Sequence, residues 1–169
     1  IGRGELNTLI STRLVRHYGN IVKNLERTGV AYELLKIVNK ATEDEPEAAY
    51  FKLLDVGLAA LDDPALDINL TKLWFEMQLL KLAGHIPNLH TNSVGAKLAD
   101  AKTYNVDFEQ MCFEPASRGR LTAKHIKFMR LGFGAGRPQT IHRITDAANL
   151  AAVCAPIIQT MLRTHVRTL

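Results

Sequence analysis

Long apolar runs, paired cysteines and aromatic residues are all scarce in this chain, and each shortage removes a class of explanation. The longest nearly apolar run, LAAVCAPII at 150–158, is far short of the roughly 20 residues that a membrane-spanning helix requires. No membrane partner is expected, and no secretory leader. The two cysteines, Cys112 and Cys154, lie far apart and match no disulfide or metal-binding pair, which suits a reducing cytoplasm. Aromatic residues make up 7% of the chain, and none is interleaved with the basic residues as a stacking platform for single strands would need. Acidic residues are almost missing from one end. Residues 115–169 hold 9 Lys and Arg against 1 Asp, a balance of +8, whereas residues 1–114 hold 12 against 16, a balance of −4.

What is present is enough for a folded domain. The chain has 169 residues, the size of one domain, and 47% of them are hydrophobic, sufficient to bury a core without staples. It opens on Ile1 rather than Met, so residues are expected upstream. The charge polarity attracts phosphates or acidic peptides through its field; a merely solvated surface is the competing reading.

The pattern along the chain is mostly helical. Leu6, Thr8, Ile10 and Thr12 alternate with a period of two and predict a strand. Ile21, Leu25, Tyr32, Leu35 and Val38 then predict a helix from Asn20 to about Lys40. EDEPE at 43–47 is expected to be a loop, and AAYFKLLDVGLAAL at 48–61 a second helix. A third is expected from about Pro64 to Ala83, capped by a left-handed Gly84. It carries one stripe of Leu70, Leu73, Met77 and Leu80 and another of Phe75, Leu79 and Leu82, which makes it the central helix of a bundle. Lys72, Glu76 and Lys81 fall on its polar positions.

From His85 to Pro115 the helical period fades into an irregular lobe, with a hairpin expected around YNVDFEQMCF. LTAKHIKFMRLG predicts a helix capped by Thr122 and stopped by Gly132. A final helix is expected from about Thr145 to Val166, kinked at Pro156.

Candidate chemistry is sparse. GFGAG at 132–136 follows a helix and lacks the GxGxxG spacing of a phosphate loop, so it is taken as a connector. No two of the six histidines pair at i, i+4, and His85, His90 and Cys112 lack a fourth good ligand for zinc. No metal, cofactor or catalytic constellation is assigned, and the chain is not expected to be an enzyme. The helix after Thr122 carries a clearer signal. Lys124 and Lys127, with Arg120, fall opposite Ile126 and Met129, and Arg130, Arg137 and Arg143 extend that basic side. It is a candidate contact for nucleic acid or an acidic tail, weighed against plain solvation.

Several segments taken together resemble a known family. GRGELNTLIS, FKLLDVGLAAL, LWFEMQLLKLAGHIPNL, YNVDFEQMCF and LTAKHIKFMRL look, in that order, like the C-terminal part of RecO, the bacterial recombination mediator. The most specific piece is F-E-x-x-L-L-x-x-x-G-x-x-P-x-L, here Phe75 to Leu89. The resemblance implies that residues 1–14 end an N-terminal OB-fold and that residues 15–169 form a helical domain with an irregular lobe at 85–115. Many members carry two CxxC pairs in that lobe as a zinc site. Here Asn92 and Gly95 replace the first pair and only Cys112 follows, so the lobe is expected to be zinc-finger-like but metal-free.

The implied role is DNA repair and homologous recombination: loading RecA at single-stranded gaps and annealing strands. The implied partners are single-stranded DNA, RecR and the acidic C-terminal tail of single-stranded DNA-binding protein. An apolar groove flanked by cations suits such a tail, and Phe75, Leu79 and Leu82 beside Lys72 and Lys81 are the candidates. DNA is assigned to Arg120, Lys124, Lys127, Arg130 and Arg137. The alternative from another class is a helical DNA-binding transcriptional regulator.

Overall fold

The structure, a computed structural model, describes residues 10–42 and 48–166. The expected loop at 43–47 and most of the strand expected within 1–14 lie outside these residues; residues 10–14, which are described, carry no regular structure. The single helix expected from Asn20 is in fact two, α1 (Gly19–Val22) and α2 (Leu25–Ala41). Asn24 separates them because its backbone is extended and its side chain accepts the Arg27 amide at 2.9 Å. An asparagine that caps so readily competes with helix continuation, although the apolar period runs straight across it. α3 (Ala48–Asp62) ends on a carboxylate that accepts the backbone amides of Asn20 at 2.7 Å and Ile21 at 3.0 Å, which fastens α1 to it.

The central helix, α4 (Ile68–Leu82), starts four residues later than expected. Asp67, and not the turn at Pro64, supplies its cap by accepting the Leu70 amide at 2.8 Å. Its end is as expected: Gly84 takes φ +80° and the His85 amide returns to the Leu80 carbonyl at 2.8 Å. Every residue from Leu70 to Leu80 is buried except Lys72 and Gln78, because α2 and α3 pack on this helix from one half of the chain and three later helices from the other. Trp74 and Phe75 each contribute about 1.5–3 kcal/mol of burial, and the Trp74 indole also donates to the Ala135 carbonyl at 2.8 Å. Gly57 lets α3 approach: a β-carbon there would stand 2.8 Å from the Phe75 ring.

The lobe is more ordered than its composition suggests. β1 (Thr103–Asp107) pairs antiparallel with β2 (Cys112–Pro115) and with β3 (Leu121–Thr122), giving the order β2-β1-β3. The expected hairpin is present, its turn closed by the Asp107 carboxylate, which accepts the Glu109 and Gln110 amides. Tyr104, Phe113 and Leu121 bury one face of the sheet. At Asn92–Gly95 a tight turn is fixed by the Glu114 carboxylate, which accepts the Ser93 amide at 2.7 Å. Hydrogen bonds thus close this part of the lobe. Among the described residues no cluster of His, Cys, Asp or Glu could hold a metal ion, and both cysteines are free and buried.

α5 (Ala123–Gly134) begins at Thr122, whose amide donates to His125 Nδ1 at 3.0 Å. It runs past Gly132, where the expected stop proves to be a packing site: a β-carbon would lie 2.5 Å from Met77 Cε. The first three residues of the GFGAG segment read as a connector belong to α5, and a short helix, α6 (Gln139–His142), follows the segment. In α7 (Ala147–His165) Pro156 stands inside the helix without ending it. No described helix is long and apolar enough to cross a membrane.

Candidate partner cleft and basic face

A cleft of about 300 Å³ opens where α2, α4 and α7 meet. Helical spacing assembles it, since residues three and four apart share a face. α2 presents Glu33, Lys36 and Ile37, α4 presents Lys72 and Glu76, and α7 presents Gln159, Leu162 and Arg163. Lys72 is held in an ion pair with Glu33, while Lys36 and Arg163 stand exposed. Ile37 and Leu162 supply the apolar part of the lining.

The floor of this cleft is a buried acid. Glu76 is only 3% exposed. Burial pushes its carboxyl up to about 7, against the opposing pull of Lys72 and of the Gln159 hydrogen bond. Gln159 Nε2 reaches Oε1 at 3.5 Å, and Oε2 is buried with no hydrogen-bond partner. One oxygen of this carboxyl is thus left unsatisfied in the protein interior.

The second feature is the exposed side of α5. Lys124 and Lys127 face solvent there, Ile126 and Met129 are buried, and Arg120 is exposed just before β3. Lys127 pairs with Asp100 of the lobe at 2.9 Å. Arg137 and Arg143 are exposed around α6.

Residues 22–167 match the family described as Recombination protein O C terminal. The chain belongs to that family. Membership gives it a RecO-type place in recombination and repair. Neither among curated proteins nor among solved structures does any match it.

Measured against this RecO fold, the groove expected along α4 is split and largely closed. Phe75 and Leu79 are fully buried and cannot line an open groove. Of the five residues assigned to the tail, Lys72 alone reaches the cleft. Lys81 donates to the Phe133 carbonyl at 3.2 Å, on the side of α5, and Leu82 is partly exposed. A helix packed on several sides has no free stripe to offer. The same packing overturns the placing of Glu76 on a polar face: it is buried at the junction of α4 with α2 and α7.

Arg130 also departs from the expected basic face. It turns toward the lobe and donates to the Leu89 carbonyl at 2.6 Å, with its Nε buried and unpartnered. His85, His90 and Cys112 do not form a common site; His85 stacks on His165 instead. The tight turn of a helix-turn-helix is not found between α5 and α7, which residues 135–146 separate. Lys36, Gln159 and Arg163 were missed because each lies far from α4 in the chain, and only the three-helix junction joins them.

Proposed function

We propose that this RecO-type domain works by binding and not by bond-making chemistry. It docks the acidic C-terminal tail of single-stranded DNA-binding protein in the α2–α4–α7 cleft and holds single-stranded DNA on the basic side of α5. In a full mediator these contacts, with RecR, serve strand annealing and the loading of RecA at gaps. The observation that carries the reading is the cleft's lining: apolar Ile37 and Leu162 beside Lys36, Lys72 and Arg163. Such a tail ends in an apolar side chain and a free carboxylate, so burial supplies affinity while the cations orient the charge.

Calorimetric titration of the tail peptide into the full chain tests this. Micromolar affinity is expected, weakening with salt and falling on Lys72→Glu or Arg163→Glu. Absence of binding at low salt overturns the reading, and binding that survives both substitutions moves the site elsewhere.

A further inference from the structure

The cleft contains one group that simple charge attraction does not use. An ionised carboxylate at its floor would repel an incoming carboxylate, yet Glu76 is buried there, is among the lining residues, and has one oxygen without a partner. A neutral carboxyl behaves differently, because its O–H can donate to an anion. We propose that Glu76 is the group that recognises the carboxylate of the bound peptide, donating a hydrogen bond to it, so that filling the cleft takes up a proton. This rests on the reading of the cleft given above and adds to it a specificity residue and a dependence on pH.

The surroundings favour that role. The charged groups lining the cleft are Glu33 and Lys36 from α2, Lys72 from α4 itself and Arg163 from α7; Gln159 is the neutral neighbour. The other helices packed on α4, namely α3, α5 and α6, contribute nothing to the lining. Lys72 is already paired with Glu33, which leaves Lys36 and Arg163 for the ligand's acidic side chains. Gln159 Nε2 stands 3.5 Å from one carboxyl oxygen of Glu76; the other is buried without a partner in the protein, so the peptide terminus reaches it by displacing the side chains that cover it. No histidine lines the cleft, so between pH 6 and 8 Glu76 is the lining group able to change charge. Unbound, it titrates at about 7, and an anion alongside raises that further.

The test is calorimetry of the N-acetylated tail peptide with the full chain at pH 6, 7 and 8, each in two buffers of different ionisation enthalpy. Proton uptake of about half an equivalent is expected at pH 7, with affinity falling toward tenfold per pH unit above it. Glu76→Gln keeps a hydrogen-bond donor and should bind at every pH with close to the wild-type affinity of pH 6. The same peptide ending in an amide should bind weakly and without uptake. Wild-type binding that ignores both pH and buffer overturns this inference but leaves the cleft reading standing, as does a pH dependence that persists in Glu76→Gln. No binding at any pH overturns both. A single cooperative thermal transition in Glu76→Gln shows that the variant is folded.

Discussion

Gly119 lies directly against the backbone of Tyr104: a β-carbon added to it would stand 2.4 Å from the Tyr104 nitrogen and 2.6 Å from its carbonyl carbon and oxygen. Tyr104 is the middle of the lobe's sheet, pairing with Pro115 on one side and Leu121 on the other. The obstacle is main chain, which cannot swing away as a side chain could. Gly119→Ala should therefore cost about 3 kcal/mol, near the top of the range for overpacking. Urea unfolding checks it; a loss under about 0.5 kcal/mol would mean the turn moves aside freely.

Arg27 sets up the functional helix from a distance. It is 8% exposed and donates to three backbone carbonyls, that of Leu61 in the last turn of α3 and those of Asp63 and Leu66 in the link to α4. This link fixes where α4 begins, and with it the placing of Lys72 and Glu76. Arg27→Met keeps the packing but strands the buried carbonyls of Leu61 and Leu66, that of Asp63 keeping the Leu66 amide, and should cost about 3–5 kcal/mol. Arg27→Lys should recover only a minor part, because an ammonium cannot reproduce the planar fork. Full recovery by lysine would show that charge, not geometry, is what matters here.

Features governed by a residue and its near neighbours were legible in the sequence. Gly84 as a left-handed cap, Thr122 as the start of α5 and the hairpin at Tyr104–Phe113 all depend on local chemistry. The break at Asn24 was hidden because Ile21 and Leu25 keep the helical period across it, so burial and capping point in opposite directions. Gly132 reads as a stop from its type alone; only the approach of Met77 shows why it is a glycine. The site was harder. Basic residues on α5 were visible as a charge pattern, but the cleft joins residues 33–37, 72–76 and 159–163, and no local pattern connects these. The composition of α4 did hold one unused clue: a helix with two apolar stripes has no solvated face wide enough for every polar residue, so Glu76 was a candidate for burial.

Burial of Glu76 also makes stability depend on pH. Its carboxyl rises from 4.5 to about 7 on folding, so unfolding between those values releases a proton. Stability from this group is complete below about pH 4.5, declines as pH rises, and levels off above about 7. The whole swing is about 3 kcal/mol. The difference between wild type and Glu76→Gln isolates it, because other groups titrate equally in both. Relative to the glutamine variant, wild type should lose ground from pH 4.5 to 7 and then stay level. A constant difference across that window would mean that Glu76 is solvated in the folded protein.

The pair between Lys127 and Asp100 offers a separate probe of the basic face. Both side chains are well exposed, at 55% and 73%, so the pair should add well under about 1 kcal/mol to stability. Its effect on DNA is another matter. A phosphate approaching Lys127 must displace Asp100 and meets its negative charge. Asp100→Asn should therefore leave the unfolding midpoint unchanged while tightening single-stranded DNA binding several-fold at low salt. If one more phosphate is engaged, the slope of log K against log salt should steepen by about 0.7. Lys127→Ala should weaken binding, and adding it to Asp100→Asn should cancel the gain, since the benefit depends on the freed ammonium. A gain that survives in the double variant would assign it to the general field of Asp100. Unchanged affinity in all three would remove this side of α5 from the DNA path and leave the exposed Arg118, Arg120, Arg137 and Arg143 beside it.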